Sequence, residues 1–171
     1  MKDFLELAKR RYSCRAYKAD KVREEDLQKI LEAGRVSPSA HNNQPYELWV
    51  IRDALHLQKL QKAGNFFDPP LVILVCGNKA TAWKNSYDAF QSTEVDASIV
   101  TDHMMMEATD LGLDTLWVCK FDRQVVRQAF ELPSNLEPIN MLVIGYGKDT
   151  PKSPDRHDKT RKKIEELVHY R

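Results

Sequence analysis

Leu71-Val72-Ile73-Leu74-Val75-Cys76 is apolar at every position and β-branched at three of six. A strand that faces solvent on one side alternates, whereas one covered on both faces reads as a continuous apolar run. This hexapeptide therefore predicts a central strand with helices packed above and below it. Upstream, Leu48–Ile51 predicts a shorter strand, and Ala54–Ala63 a short amphipathic helix ending at a Gly64-Asn65 turn. Further back, Glu24, Glu25 and Asp26 fall in a first helical turn, where the macrodipole favours acids. Leu27, Ile30, Leu31 and Gly34 follow at i, i+3, i+4 and i+7, and Pro38 lies beyond the end. Asp3 is placed to cap a first helix carrying Phe4, Leu5, Leu7 and Ala8, ending near Arg10.

Downstream of the hexapeptide, Asn78–Thr93 is ambiguous. Trp83, Tyr87 and Phe90 would share one face if it were helical, which reads as core packing rather than a lid. Glu94–Leu111 predicts the longest helix, with Val95, Ile99, Val100, His103, Met104 and Ala108 on its apolar side and Gly112 as its stop. Thr115–Cys119 predicts a strand, and Asp122 caps a helix bearing Val125, Val126, Ala129 and Phe130. Pro133 and Pro138 bound a loop before a strand at Asn140–Gly145, and a last, mostly polar helix is expected over Asp158–His169. Strands alternating with helices, without repeats or linkers, predict a single three-layer domain over residues 1–171. Residues 151–171 carry too few apolar positions to be core and read as an arm laid on a partner surface.

Composition narrows the function classes. The chain is 42% hydrophobic and 30% charged, ordinary for a globular protein. Its longest apolar runs are too short to span a bilayer, and Met1-Lys2-Asp3-Phe4 has no signal-peptide pattern. Three widely spaced cysteines without a C-x-x-C predict a reducing, cytoplasmic setting with no structural disulfide or metal. The net charge of +1 conceals two basic ends. Residues 1–23 hold eight Lys/Arg against three acids, and residues 151–171 hold seven against four. Such ends suit one shared anion site, and without interleaved aromatics they do not suit nucleic acid.

No G-x-G-x-x-G follows a strand, and there is no Walker A sequence, G-x-S-x-G elbow or H-E-x-x-H. His103 and Glu107 lie four apart, but on a methionine-rich helix (Met104–Met106) they read as a local or inter-subunit polar contact rather than a metal site. Nothing orients His41 toward Cys119 as base toward nucleophile.

Two segments remain. Arg11-Tyr12-Ser13-Cys14-Arg15 follows the first helix. In extended chain its alternate side chains share a face, so Arg11, Ser13 and Arg15 can meet one anion, for which the planar guanidinium fork is suited. Pro38-Ser39-Ala40-His41-Asn42-Asn43-Gln44-Pro45 is a proline-bounded loop crowded with short donors and acceptors. Phosphate-binding arginines beside a polar loop, with no acid, base or nucleophile in place, suggest that a cofactor carries the chemistry.

These residues resemble the FMN-dependent nitroreductase family. Arg11–Arg15 looks like its R-x-S-x-[RK] signature, and Pro38-Ser39 through Asn42-x-Gln44-Pro45 like its P-S-x-x-N-x-Q-P loop. Ala108–Asp122 is similar to its A-x-x-L-G-L-G-T-x-W…F-D stretch. Ile144–Gly147 matches its closing strand and turn, and Lys159-Thr160-Arg161 resembles its C-terminal basic triplet. The resemblance implies an α+β, three-layer α/β/α fold with a mixed, mainly antiparallel sheet, and a homodimer with FMN at its interface. It implies that Arg11, Ser13, Arg15 and Arg161 hold the phosphate, with Lys159 beside them and Tyr12 inside the motif. Ser39, Asn42 and Gln44 would reach the flavin from the partner subunit. Asn65 and the backbone around Cys119 and Lys120 would lie near the pyrimidine edge and N5. The implied activity is ping-pong transfer from NAD(P)H to nitroaromatics, quinones or similar small acceptors. The alternatives are a flavin-binding carrier or sensor without efficient turnover, a specialised reductase such as a dehalogenase, and a nucleotide binder without flavin. Asp114 departs from the second glycine of G-L-G, Lys120 from a glycine common beside the flavin, and Tyr12 from an Arg or His; these departures bear on substrate range and donor preference.

Overall fold

The computed structural model describes residues 3–171; Met1 and Lys2, the start of the stretch read for an export signal, lie outside the described residues. The hexapeptide strand is indeed internal. Strand β1 (Tyr46–Ile51), β2 (Leu71–Asn78), β3 (Asp114–Val118) and β4 (Leu136–Gly145) form one sheet in the order β1-β2-β4-β3. All three pairings are antiparallel. The parallel element of the sheet is a single bridge from Ser13 to Thr115, so the expected mixed character resides in the N-terminal segment lying along the free edge of β3.

Alternation along β2 builds two cores. Val72, Leu74 and Cys76 join Leu60, Phe66, Val118, Val126 and Met141 on one face. Leu71, Ile73 and Val75 join Leu27, Ile30, Val100, Met104 and Leu142 on the other. Helices α3 (Ala54–Gln61) and α5 (Arg123–Ala129) cover the first face, and α2 (Glu24–Arg35) and α4 (Thr93–Asp110) the second. This is the three-layer arrangement expected from a strand that is apolar on both sides.

Several boundaries differ from expectation for local reasons. Strand β4 begins at Leu136, so Pro138 lies inside it. Pro138 is tolerated because β3 pairs only with Met141–Gly145, and because the β2–β4 register shifts at Val75/Cys76. The missing amide thus falls at an irregular, half-paired stretch of strand. Residues 79–92 are not helical. Asn85 and Asp88 accept from the amides of Tyr87 and Phe90 at 3.2 and 2.8 Å, turn contacts that compete with helix. Tyr87 is left 94% exposed, so the aromatic face expected there does not form. The last helix is shorter than expected: α6 covers Arg156–Thr160, and a 3-10 turn follows at Ile164–Glu166.

Helix α4 turns a different face inward than its pattern predicts. Ala97, Val100, Thr101, Met104, Met105 and Ala108 are buried, whereas Val95 and His103 are exposed and Ile99 is half-exposed. Helix α1 (Phe4–Arg10) is capped by Asp3, whose carboxylate accepts from Leu5 N at 2.8 Å, and it buries no residue of its own. No helix among the described residues is long and apolar enough to cross a membrane.

Candidate active site

The segment leaving α1 is extended and clamped to the sheet edge. Cys14 N donates to Thr115 O at 2.9 Å, Lys18 N to Tyr146 O at 2.7 Å, and Lys148 N to Ala16 O at 2.9 Å. Its side chains alternate as expected. Over residues 11–15, Tyr12 and Cys14 point into the core while Arg11, Ser13 and Arg15 lie on the outer face, partly or fully exposed; the parity breaks afterwards, where Tyr17 is buried. Tyr12, included with the site residues on motif grounds, is therefore a core side chain. Burial and the nearby Asp114 carboxylate raise its phenol well above the ordinary value.

Arg11 sits in an unusual field. Burial lowers its pKa from the ordinary guanidinium value, the neighbouring Arg156 and Arg161 lower it further, and Asp102 partly opposes them. Three guanidiniums drawn together against their mutual repulsion make a site suited to a multiply charged anion. Arg161 comes from the C-terminal arm, so the two basic ends of the chain do meet. Lys159 lies exposed on α6.

Arg15 continues the same face into a cavity of about 740 Å³, which it lines together with Asn65, Cys119 and Lys120. The cavity has apolar walls from Phe67, Leu116, Trp117, Val118 and Phe121. The β3 ladder ends at Val118, so the amides of Cys119 and Lys120 leave the sheet without strand partners. Asp122 N donates to Ala63 O at 2.8 Å, which draws the turn after α3 beside them. A Cβ on Gly64 would lie 3.3 Å from Lys120 O, so this close approach favours glycine. Asn65 Oδ1 accepts from Phe67 N at 3.0 Å, which orients the turn and leaves its amide nitrogen as a donor. Two of the departures from the motif separate here: Lys120 lines the cavity, whereas Asp114 lies at the far end of β3 and accepts from Gly147 N at 2.9 Å.

The polar loop is built as a rigid presenter. Ser39 Oγ accepts from Gln44 N at 3.0 Å, Gln44 Nε2 donates to Asn42 O at 2.7 Å, and Ala40 N donates to the buried Asp96 Oδ1 at 2.9 Å. His41, Asn42 and Gln44 hold positive φ (53°, 54° and 49°), a conformation kept only where surroundings enforce it. The His41 ring stacks on Trp83 with centroids 5.9 Å apart.

Asn42 and Gln44 are exposed, and within one chain the structure does not bring Ser39, Asn42 and Gln44 to the cavity. The loop leads into β1, while the cavity lies beside β3, at opposite edges of the sheet. Three interstrand spacings separate those edges, about 14 Å.

Arg156 was missed by the sequence reading. Its guanidinium donates to the carbonyls of Lys9, Ser153 and Arg11 at 3.0, 2.9 and 2.5 Å. The only signal was the basic density of the tail, which does not say which cation folds back onto α1.

Residues 8–64 and 55–146 match the sequence model of the nitroreductase family. The chain superimposes on a nitroreductase family protein from Clostridium difficile with a TM-score of 0.97 at 50% identity, covering 99% of this chain and 98% of that one. An FMN-dependent nitroreductase from the same species gives a TM-score of 0.81 at 26% identity, covering 97% and 98%. A Methanothermobacter thermautotrophicus protein named as an NADH dehydrogenase/NAD(P)H nitroreductase is 30% identical over 172 residues, covering 95% of this chain and 87% of its own length.

Proposed function

The chain belongs to the nitroreductase family, and on that premise we propose that it is an FMN-dependent oxidoreductase that uses NAD(P)H to reduce small acceptors such as nitroaromatics or quinones. What carries the reading is that Arg15, on the same extended face as Arg11 and Ser13, lines a cavity with Asn65, Cys119 and Lys120, while Arg156 and His157 bind the arm bearing Arg161 to the carbonyls at the exit of α1.

The residues present fit FMN. Clustered guanidiniums with little compensating acid suit a phosphate. A volume of about 740 Å³ with apolar walls lies in the range of small-ligand pockets and suits a flat ring system. Arg11, Ser13, Arg15 and Arg161 would hold the phosphate, with Lys159 nearby. Asn65 and the amides of Cys119 and Lys120 would donate to the polar edge of the ring. FMN, when bound, would supply the redox chemistry, as the acceptor of a hydride from the nicotinamide and the source of reducing equivalents for the acceptor.

The chain's own residues then bind and bias. Backbone donors at Cys119 and Lys120 cost no reorganisation, because β3 and the Ala63–Asp122 contact fix them in advance. The Lys120 ammonium and Arg15 guanidinium place positive charge at the cavity, favouring any negative charge that develops there. No general acid or base of the protein is required.

A second copy of the chain completes the site in this reading. The loop carrying Ser39, Asn42 and Gln44 lies at the wrong sheet edge to serve its own cavity. Phe4, Leu7, Ala33, Val36 and Met106 line a groove on the α1–α2–α4 side that is mostly apolar and is edged by Asp102, His103, Glu107 and Asp110, and Phe4 and Val36 are 67% and 60% exposed. An apolar surface of that kind marks an interaction site, and a homodimer built on it fits a cytoplasmic enzyme with three free thiols.

The test is spectroscopic. Purified protein should carry or take up FMN, bleach on anaerobic addition of NADPH or NADH, and recover its colour with a quinone or nitroaromatic. Failure to bind added FMN overturns the reading. Flavin that stays oxidised with both donors overturns the enzyme and leaves a carrier.

A further inference from the structure

From Lys148 onward every residue is exposed except Arg156 and His157, which are half-buried. Among the described residues, the arm that supplies Arg161 thus has no buried hydrophobic side chain. Past the Lys148 N–Ala16 O bond, its hydrogen bonds to the rest of the chain run through these two side chains. The Arg156 fork takes the carbonyls of Lys9, in the last turn of α1, and of Arg11, its C-cap, and also that of Ser153. Those helix-end carbonyls lack intrahelical partners and sit at the negative end of the macrodipole, where a cation is favoured. His157 Nε2–H donates to Lys9 O at 3.2 Å. That tautomer leaves Nδ1 to accept from Arg161 Nε at 3.5 Å. A continuous chain of contacts therefore runs from the exit of α1, through Arg156 and His157, to Arg161.

We propose that Arg156 is a positioning residue of the phosphate site, fixing the arm to the exit of α1 so that Arg161 arrives beside Arg11. The proposal rests on the flavin reading. Arg11 and Arg161 repel each other, so something other than their own charges must hold them together before an anion arrives. Three carbonyl acceptors gripping one planar fork do this, and the compact ammonium of a lysine cannot reproduce that geometry. Arg156 acts through the backbone and through Arg161, so its effect belongs to the phosphate and not to the ring.

The experiment compares FMN with riboflavin, which lacks the phosphate, by flavin-fluorescence titration of the full-length chain and of Arg156→Met and Arg156→Lys. FMN affinity should fall by about tenfold or more in both variants, the scale of one or more lost charge-assisted contacts. Riboflavin affinity and the thermal midpoint should stay close to wild type, and cleavage by a lysine-specific protease in the arm should speed up. Wild-type FMN affinity in R156M overturns the proposal. So does full affinity in R156K alone, which would make Arg156 a phosphate ligand acting by charge. Equal losses for FMN and riboflavin would mean a general structural role and overturn it too. Should wild-type protein bind no FMN, the flavin reading falls and this proposal with it.

Discussion

At Gly147 an added Cβ would lie 2.5 Å from Asp114 Oδ2 and 3.0 Å from the Tyr12 hydroxyl. The Gly147 amide donates to that same carboxylate oxygen, so Gly147→Ala must displace its own hydrogen-bond acceptor. We expect a loss of about 1–3 kcal/mol, read as a lower denaturation midpoint at unchanged m-value. An unshifted midpoint would show that Asp114 swings aside freely. Arg11→Ala should weaken FMN binding by about 1.5–3 kcal/mol through one lost charge-assisted contact, measured by flavin fluorescence. Unchanged affinity would make Arg11 a plain surface charge. The three thiols should also separate. Cys14 is 1% exposed, and Cys76 is fully buried with its pKa pushed up to about 12 by that burial. Cys119 is exposed at the cavity. Since the thiolate is the reactive form, native protein at neutral pH should titrate one thiol with a disulfide reagent, and FMN should slow it. Rapid reaction of a second thiol would contradict the buried placement of Cys14 and Cys76.

Among the elements, β2 and the Arg11–Arg15 segment were legible because their periodicities have one reading. An apolar run bounded by turns is a covered strand, and a hydrophilic alternation ending a helix sorts its side chains by parity. Helix α4 was not, because apolar residues occur around much of its circumference. Val95 and Ile99 are as hydrophobic as Ala97 and Val100, and only the position of the sheet decides which pair is buried. The segment at 79–92 misled for the opposite reason. Its aromatics mimic helical spacing, but Asn85 and Asp88 sit between them and close turns. The contact that sets the polar loop could not be read at all, since Ala40 and Asp96 are 56 residues apart. Asp96 is 1% exposed and Oδ2 is without a partner, so its burial is justified locally by the bond to Ala40 N. Asp96→Ala should speed amide hydrogen exchange at Ala40 and through the loop to Gln44 while β2 stays protected. Asp96→Asn, which keeps an oxygen acceptor, should leave that exchange near wild type. If the alanine variant exchanges like wild type, the loop is held by its own Ser39 and Gln44 contacts.

For the whole molecule, the sheet order decides where a complete pocket can form. A chain with β1 and β3 at opposite edges cannot fold its polar loop onto its own cavity without crossing two strands. A second copy related by a two-fold axis can bring loop to cavity twice, once at each end of a shared interface. The mostly apolar groove between α1, α2 and α4 lies on the exposed side of the helical layer where such a copy would pack. Val36 discriminates well, because its side chain is 60% exposed in the single chain and contributes nothing to either core. Val36→Glu should therefore leave the fold and thermal cooperativity of the isolated chain intact, yet place a charge where the copies meet. Sedimentation should give wild type at twice the 19.8 kDa chain mass and the variant at the single mass, with bound flavin lost in step with the dimer. A monomeric variant that keeps wild-type affinity for FMN would show that one chain closes its own site, and the role of Ser39, Asn42 and Gln44 in trans would fall with it.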